Sequence, residues 1–157
     1  MNYDAIRDGF GMAVPFVRHA GIKLRDVGCG IATAVLADTA ELRNHVGTLH
    51  AGALFTLGET ASGAALAGAI APILEEVRPL ATAARIEYLK AARGEIIATA
   101  TIPEAETLQA QVVSKGRVAV VAKVSLRDST DTEVGRLEVE WTILGPRPRV
   151  SEPVPSR

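Results

Sequence analysis

The segment from Ala51 to Leu74 constrains the fold of this chain most, because its 24 residues carry a single charge, Glu59. The segment is rich in Ala, Gly, Thr and Ser rather than in Leu and Ile. An acidic residue in the middle of a membrane span costs about 2.5–3.5 kcal/mol, and no cluster of basic residues flanks the segment. We therefore interpret it as a buried helix over about Ala51–Ala69, ended by Pro72, and not as a membrane span.

Shorter elements are predicted on both sides of this helix. Before it we expect two short helices, separated by Gly9 and Gly11, and then two strands: Tyr3–Arg7, Ala13–His19, Gly21–Arg25 and Ile31–Asp38. After it the apolar period becomes that of strands, with four candidates separated by polar or glycine-containing turns: Thr82–Leu89, Glu95–Ile102, Gln111–Leu126 and Val134–Leu144. In the last strand four residues are predicted to face inward and four outward: Leu137, Val139, Trp141 and Ile143, against Arg136, Glu138, Glu140 and Thr142.

A helix that is apolar on every side must be wrapped by other elements rather than laid on a surface. Its small residues would let a curved sheet approach closely: Ala53, Ala61, Ser62, Gly63, Ala64, Ala65 and Gly68. The sequence therefore predicts an α+β fold in which an antiparallel sheet wraps round a long central helix, as one domain over residues 1–145. Residues 146–157 hold four of the eight prolines and are predicted to be a disordered tail.

Composition excludes several classes of partner. Lys and Arg number 17 against 18 Asp and Glu, so the chain has no net field to hold nucleic acid or an anionic membrane. The single cysteine, Cys29, excludes an internal disulfide and a multi-cysteine metal site, and we expect it to be buried. The first 15 residues resemble no secretory signal, so a cytoplasmic setting is expected. The sequence contains no phosphate loop, nucleophile elbow or zinc-protease motif, and it identifies no cofactor or metal.

Two regions could carry chemistry. A buried carboxylate is costly unless it is paired, hydrogen-bonded or functional, so Glu59 is a candidate functional acid. Alternatively, Glu59 lies on a solvent-exposed stripe of the helix, or it caps a backbone group. Immediately before the helix stand Asn44, His45, Thr48 and His50. The first N–H groups of the helix, at about Ala51 and Gly52, could bind an oxyanion. Alternatively, these polar residues only cap the helix.

Asn44, His50 and Glu59 are spaced in a way that resembles the hotdog-fold thioesterases of the phenylacetate pathway, the PaaI-like family. Those enzymes carry Asn or Gln, then His-Gly-Gly six residues later, then Asp or Glu nine residues after the His, and the same two spacings occur here. The segment Tyr88–Gly94 resembles the strand-end motif of that family, and Lys115-Gly116-Arg117 resembles the turn before one of its later strands. The resemblance spans about Gly21–Leu144.

The resemblance implies a hotdog-fold homodimer, or a dimer of dimers, that hydrolyses acyl-CoA thioesters. Glu59 would be the general base or the nucleophile, and Asn44 would hold the substrate carbonyl or the attacking water. His50 would shape the helix start, where the N–H of Ala51 would polarise the thioester carbonyl. The phosphates of CoA would meet basic residues at strand ends, for which the alternative is simple solvation: Lys90, Arg93, Lys115 and Arg117.

The chain departs from the family pattern at three positions. Ala51 replaces the first Gly after the His, Ala91 replaces the Pro after the strand-end basic residue, and Gly63 stands where several members have Ser or Thr. Two other functions fit the same fold: a non-catalytic acyl-CoA or acyl-carrier binding protein, and a hotdog dehydratase. The dehydratases have a Pro-rich loop before the helix, whereas this loop contains no proline, and we rank that function last.

Overall fold

The computed structural model describes residues 2–145, so the predicted tail lies outside the described residues. Its helices and strands follow one another in this order: α1 (Tyr3–Ala13), α2 (Pro15–His19), β1 (Lys23–Gly28), β2 (Ile31–Leu36), α3 (Ala51–Ala69), β3 (Arg78–Tyr88), β4 (Ile96–Thr101), α4 (Ala105–Lys115), β5 (Arg117–Asp128) and β6 (Glu133–Leu144). Short 3₁₀ helices precede and follow α3, at Ala40–Leu42 and Ala71–Ile73.

The six strands form one antiparallel sheet in the order β1-β2-β4-β5-β6-β3, and α3 packs across its inner face. From Leu57 to Ala69 every residue of α3 is buried except Glu59 and Gly63. This arrangement confirms the predicted α+β fold, with a sheet around a long central helix. None of the helices within residues 2–145 is long and apolar enough to cross a membrane.

Glycines in α3 set how closely the sheet approaches the helix. A methyl group on Gly58 would lie 2.6 Å from Cδ1 of Leu137 on β6, and one on Gly68 would overlap the carbonyl oxygen of Gly28 at the end of β1. A larger side chain at either position would push the sheet away. The close contact predicted from the small residues is therefore present, and at Gly68 it is a contact with backbone.

The inward residues of β6 are as predicted, with Leu137, Val139, Trp141 and Ile143 all buried. Thr142, predicted to face solvent, is also buried. In the sheet register it lies between Leu80 of β3 and Ala119 of β5. An outward residue of an interior strand is covered from both sides by such neighbours, which explains the difference.

Two predicted elements are wrong. Residues 111–115, predicted as strand, belong to α4, because Ala105, Leu108 and Val112 recur at helical spacing and are buried. The predicted turn at Lys115-Gly116 is correct, since Gly116 ends α4 with a positive φ of 70°. Gly9 and Gly11 do not interrupt α1, which continues to Ala13. The chain leaves helical geometry at Val14, the residue before Pro15.

Strand β3 forms one edge of the sheet and is paired only with β6 among the described strands. It begins at Arg78, four residues before the predicted start, because its pairing with β6 extends to Leu144. Residues 80–85 are exposed, and five of these six residues are uncharged: Leu80, Ala81, Thr82, Ala83 and Ala84. A long edge strand with apolar, solvent-facing residues is suited to pairing with another strand.

The contact of α3 with the β1–β2 turn predicts the effect of a single methyl group. Gly68→Ala is expected to lower the free energy of unfolding by about 2 kcal/mol or more, because the new Cβ meets backbone that cannot move aside. Gly11→Ala in α1 is the matched control. It has no atom within 4 Å of its new Cβ and should raise the stability by about 0.5 kcal/mol. Equal urea midpoints for the two variants would contradict this packing.

Candidate functional site

The loop before α3 is organised by the side chain of Asn44. Its Oδ1 accepts hydrogen bonds from the N–H groups of Val46 and Thr48, both at 3.1 Å, and its Nδ2 donates to Oγ1 of Thr48 at 2.8 Å. Gly47, with φ of 74°, makes the turn within this loop. Asn44 therefore holds the loop in shape, and one N–H of its amide is left for another acceptor.

His50 caps the first turn of α3 with its ring. Nδ1 accepts a hydrogen bond from the N–H of Gly52 at 2.9 Å, so the proton of the neutral ring is on Nε2. A methyl group on Gly52 would lie 3.1 Å from Nδ1, and glycine at this position lets the ring close over the helix end. The N–H of Gly52, predicted as one of two donors to an oxyanion, is thus already in use.

The N–H of Ala51 differs from that of Gly52. No acceptor for it is present among residues 2–145, and Ala51 itself is exposed. An exposed helix start with an unused N–H group is favourable for a carbonyl oxygen that develops negative charge. Of the two predicted donors, Ala51 alone has this geometry in the structure.

A pocket of about 420 Å³ opens at the helix start. It brings together three of the predicted site residues, Asn44, Ala51 and Lys90, and adds Tyr88, which was not predicted as a site residue. The hydroxyl of Tyr88 donates to the carbonyl oxygen of Ala51 at 3.0 Å, and burial raises the pKa of Tyr88. The sequence signal that could have identified Tyr88 is its position in the strand-end motif Tyr88–Gly94.

Glu59 lies two turns further along α3 and is half-buried. Within residues 2–145 its carboxylate makes no hydrogen bond and no ion pair, and its backbone carbonyl accepts a hydrogen bond from Oγ of Ser62 at 2.7 Å. Burial raises the pKa of the Glu59 carboxyl. The carboxylate therefore does not cap a backbone group, and no cation among the described residues offsets its burial.

Ala51 and Glu59 are too far apart in one chain to act on the same atom. Eight residues separate them on one helix, which corresponds to about 12 Å along the axis. Glu59 accordingly does not line the pocket at the helix start. Each chain thus presents two separate features, a helix start with an available N–H and an acid two turns away.

The four basic residues predicted to bind CoA phosphates separate into two groups. Lys90 lines the pocket, and Nη1 of Arg93 donates to the carbonyl of Gly47 at 3.0 Å. Arg117 is at the other end of the sheet. It pairs with Leu144 of β6, and Leu144 pairs on its other side with Arg78 at the start of β3. The ten residue-to-residue steps of β3 from Arg78 to Tyr88 span about 33 Å. Lys115 precedes Arg117 by two residues and lies at that same distant end.

Two further expectations concern metals and the single cysteine. No group of three or more His, Cys, Asp or Glu side chains in the described part of the chain is arranged to hold a metal ion. Cys29, predicted to be buried, is exposed. It lies in the β1–β2 turn between Gly28 and Gly30, outside the strands that pack on α3.

Comparison with protein families gives one match, to a family described as a domain of unknown function (DUF4442), over residues 3–143. No match to a curated protein was found.

Solved structures include several with the same fold. A Pseudomonas aeruginosa protein of unknown function, described as a probable thioesterase, is 20% identical with a TM-score of 0.76, covering 90% of this chain and 95% of its own. The PaaI protein of the Escherichia coli phenylacetic acid degradation operon is 18% identical with a TM-score of 0.72, and the match covers 92% of this chain and 94% of that protein. A Haemophilus influenzae thioesterase is 18% identical with a TM-score of 0.69 (87% of each chain). The predicted hotdog fold is confirmed.

The buried position of Glu59 predicts how stability depends on pH. Because its pKa is raised on folding, the stability it confers is present below the ordinary carboxyl value of 4.5 and is lost as the pH rises through the raised pKa. Glu59→Gln cannot ionise, so it should be more stable than the wild type at neutral pH, with the difference vanishing below about pH 4.5.

Urea unfolding at a series of pH values measures this difference. Glu106→Gln, at an exposed position of α4, controls for the removal of one negative charge. Parallel pH profiles for the wild type and Glu59→Gln would show that the Glu59 carboxyl is not destabilised by burial.

Proposed function

We propose that this chain, which belongs to the family described as a domain of unknown function (DUF4442), is a thioesterase that hydrolyses an acyl-CoA to a free acid and CoA. The observation that carries the proposal is the half-buried carboxylate of Glu59, which has no cationic partner in residues 2–145 and a raised pKa. An acid in such an environment is suited to take up and release a proton in a reaction. Thioesterases among the proteins of the same fold support the assignment.

The geometry fits a reaction in which the thioester carbonyl sits at a helix start. Its oxygen would accept a hydrogen bond from the N–H of Ala51 and from the remaining amide N–H of Asn44. Glu59 would take a proton from water as the water oxygen attacks the carbonyl carbon. The C–S bond then breaks, and the sulfur leaves as CoA and receives that proton. In the second route the carboxylate itself attacks, and water hydrolyses the resulting anhydride.

Ala51 and Glu59 form the two halves of the proposed site, and they lie about 12 Å apart along α3. We therefore propose that each active site is shared by two chains. The exposed edge of β3 is the surface suited to this assembly. If two β3 strands pair in antiparallel fashion, the Tyr88 end of each lies beside the Arg78 end of the other. Lys90 and Arg93 would then approach the partner's Lys115 and the partner's Arg117, which one chain holds about 33 Å apart. A dimer of dimers is the larger assembly that we keep open.

A non-catalytic acyl-CoA or acyl-carrier binding protein remains the second candidate. The observation that favours it is the use of polar groups at the helix start, where Asn44 holds its own loop and His50 occupies the N–H of Gly52. Turnover of a panel of acyl-CoA substrates separates the two functions, because a binding protein would retain affinity without producing free CoA.

The role of Glu59 is tested by removing its charge and keeping its shape. Glu59→Gln should fold normally and lose about 10²–10⁴-fold in kcat, the usual contribution of a general base. Release of CoA thiol from several acyl-CoA substrates measures the loss, with Glu106→Gln as the control for a change of charge. A folded Glu59→Gln protein with full activity would exclude Glu59 as the general base or the nucleophile.

The shared site is tested by complementation. Asn44→Ala disables the helix-start half and Glu59→Ala the acid half, so each homodimer should be inactive. When the two proteins are unfolded and refolded together, half of the dimers are mixed, and each mixed dimer has one intact site of two. Activity should therefore return to roughly a quarter of that of the wild type.

The fraction of mixed dimers is followed with two different affinity tags. Mixed dimers that form from folded parents and stay inactive would contradict the shared site.

A further inference from the structure

A groove of about 770 Å³ separates α1 from the C-terminal half of α3. Its volume is that of a small-molecule pocket, typically ~300–1,000 Å³. Each helix contributes a stripe of apolar or small residues at helical spacing: Ile6, Gly9 and Phe10 from α1, and Gly63, Leu66 and Ala67 from α3. The two stripes face each other across the groove, and none of the residues of α1 is fully buried. Phe10 packs against the core, while the rest of this face of α1 borders an opening.

The groove begins one turn beyond the proposed catalytic acid. Gly63 follows Glu59 by four residues, so the two positions share a helix face and are about 6 Å apart along the axis. A Cβ on Gly63 would lie 3.4 Å from Cζ2 of Trp141 and 3.5 Å from Cζ of Phe10. The missing side chain therefore leaves room for one carbon atom in van der Waals contact with both rings, one helical turn from Glu59.

The aromatic wall is held in place by the same turn of helix. Nε1 of Trp141 donates to Oγ of Ser62 at 3.1 Å, and Oγ of Ser62 donates to the carbonyl of Glu59 at 2.7 Å. These bonds tie the indole ring to the backbone of α3 at Glu59, so the groove wall is fixed relative to that turn of the helix.

The charge of the lining selects among acyl groups. Its charged side chains are Glu75 and Glu76, both exposed, and the rest is Ala, Gly, Val, Leu, Ile, Pro, Phe and Trp. An acyl group that ends in a carboxylate would meet like charge at the rim and find no cation in the lining. A neutral hydrocarbon chain or aryl group would be buried against apolar walls, which is favourable because apolar surface leaves water.

We propose that this groove binds the acyl group of the thioester, which enters beside Glu59 and extends between Phe10 and Trp141. The proposal rests on the thioesterase function proposed above and names its substrate class. Neutral apolar acyl groups long enough to pass Gly63 are substrates, whereas acetyl groups and acyl groups with a terminal carboxylate are poor ones.

The test uses alkyl thioethers of CoA, from S-ethyl to S-decyl, which cannot be hydrolysed because they lack the carbonyl. Trp141 is the only tryptophan of the chain, so the protein's tryptophan fluorescence reports on this groove. In the wild type, affinity should rise roughly fourfold per methylene until the groove is filled. The longer thioethers should change the Trp141 emission and the ethyl thioether should not.

Two variants fill the groove from opposite sides, and one variant serves as the matched control. Gly9→Leu projects from α1 into open space, with nothing within 4 Å of its Cβ, and Gly63→Leu projects from α3. Both should bind S-decyl-CoA at least tenfold more weakly and lose the dependence on chain length. Gly11→Leu, on α1 in equally open space but outside the lining, should bind like the wild type.

The proposal is overturned if affinity in the wild type does not rise with chain length, or if Gly9→Leu retains the same rise as Gly11→Leu. Failure of the thioesterase proposal looks different. In that case long thioethers bind with the expected response of Trp141, but no acyl-CoA releases CoA.

Discussion

The approach of α3 to the sheet is the constraint on which the rest of the structure depends. At Gly68 the helix touches the backbone of the β1–β2 turn, and at Gly58 it contacts Leu137 on β6. These two contacts fix the helix at both ends of its buried half. In this half, from Leu57 to Ala69, only Glu59 and Gly63 are left partly exposed. The acid and the start of the groove are thus consequences of how the helix is packed.

Elements with one uniform pattern could be predicted from the sequence. The central helix was found with its observed ends because its apolar character holds on every side, and β6 was found because its alternation runs through Ile143. α4 was missed because Val112-Val113 is typical of a strand. Only the packing of α4 against α3 shows that the apolar residues here recur at helical spacing. Gly9 and Gly11 do not end α1, because a glycine only lowers helix stability, whereas Pro15 excludes helical geometry at the residue before it.

The candidate site could be predicted as far as spacing along the chain determines it. Asn44 and Ala51 are close in sequence, and the structure places them in one pocket. The contact of Tyr88 with Ala51 depends on where the edge of the sheet meets the helix, 37 residues apart in sequence, which no local pattern contains. The same holds for Arg117, since only the strand order shows that it lies at the far end of the sheet. Side-chain capping by His50 likewise depends on ring orientation.

The cap on α3 decides which backbone groups of the helix start are available to a ligand. It is made by the ring of His50 rather than by the short oxygen-bearing side chain of a Ser, Thr, Asp or Asn cap. Nδ1 of His50 accepts the N–H of Gly52, so the N–H of Ala51 is left without an acceptor among residues 2–145. A ring over the first turn therefore selects one backbone donor, where an uncapped helix would present several.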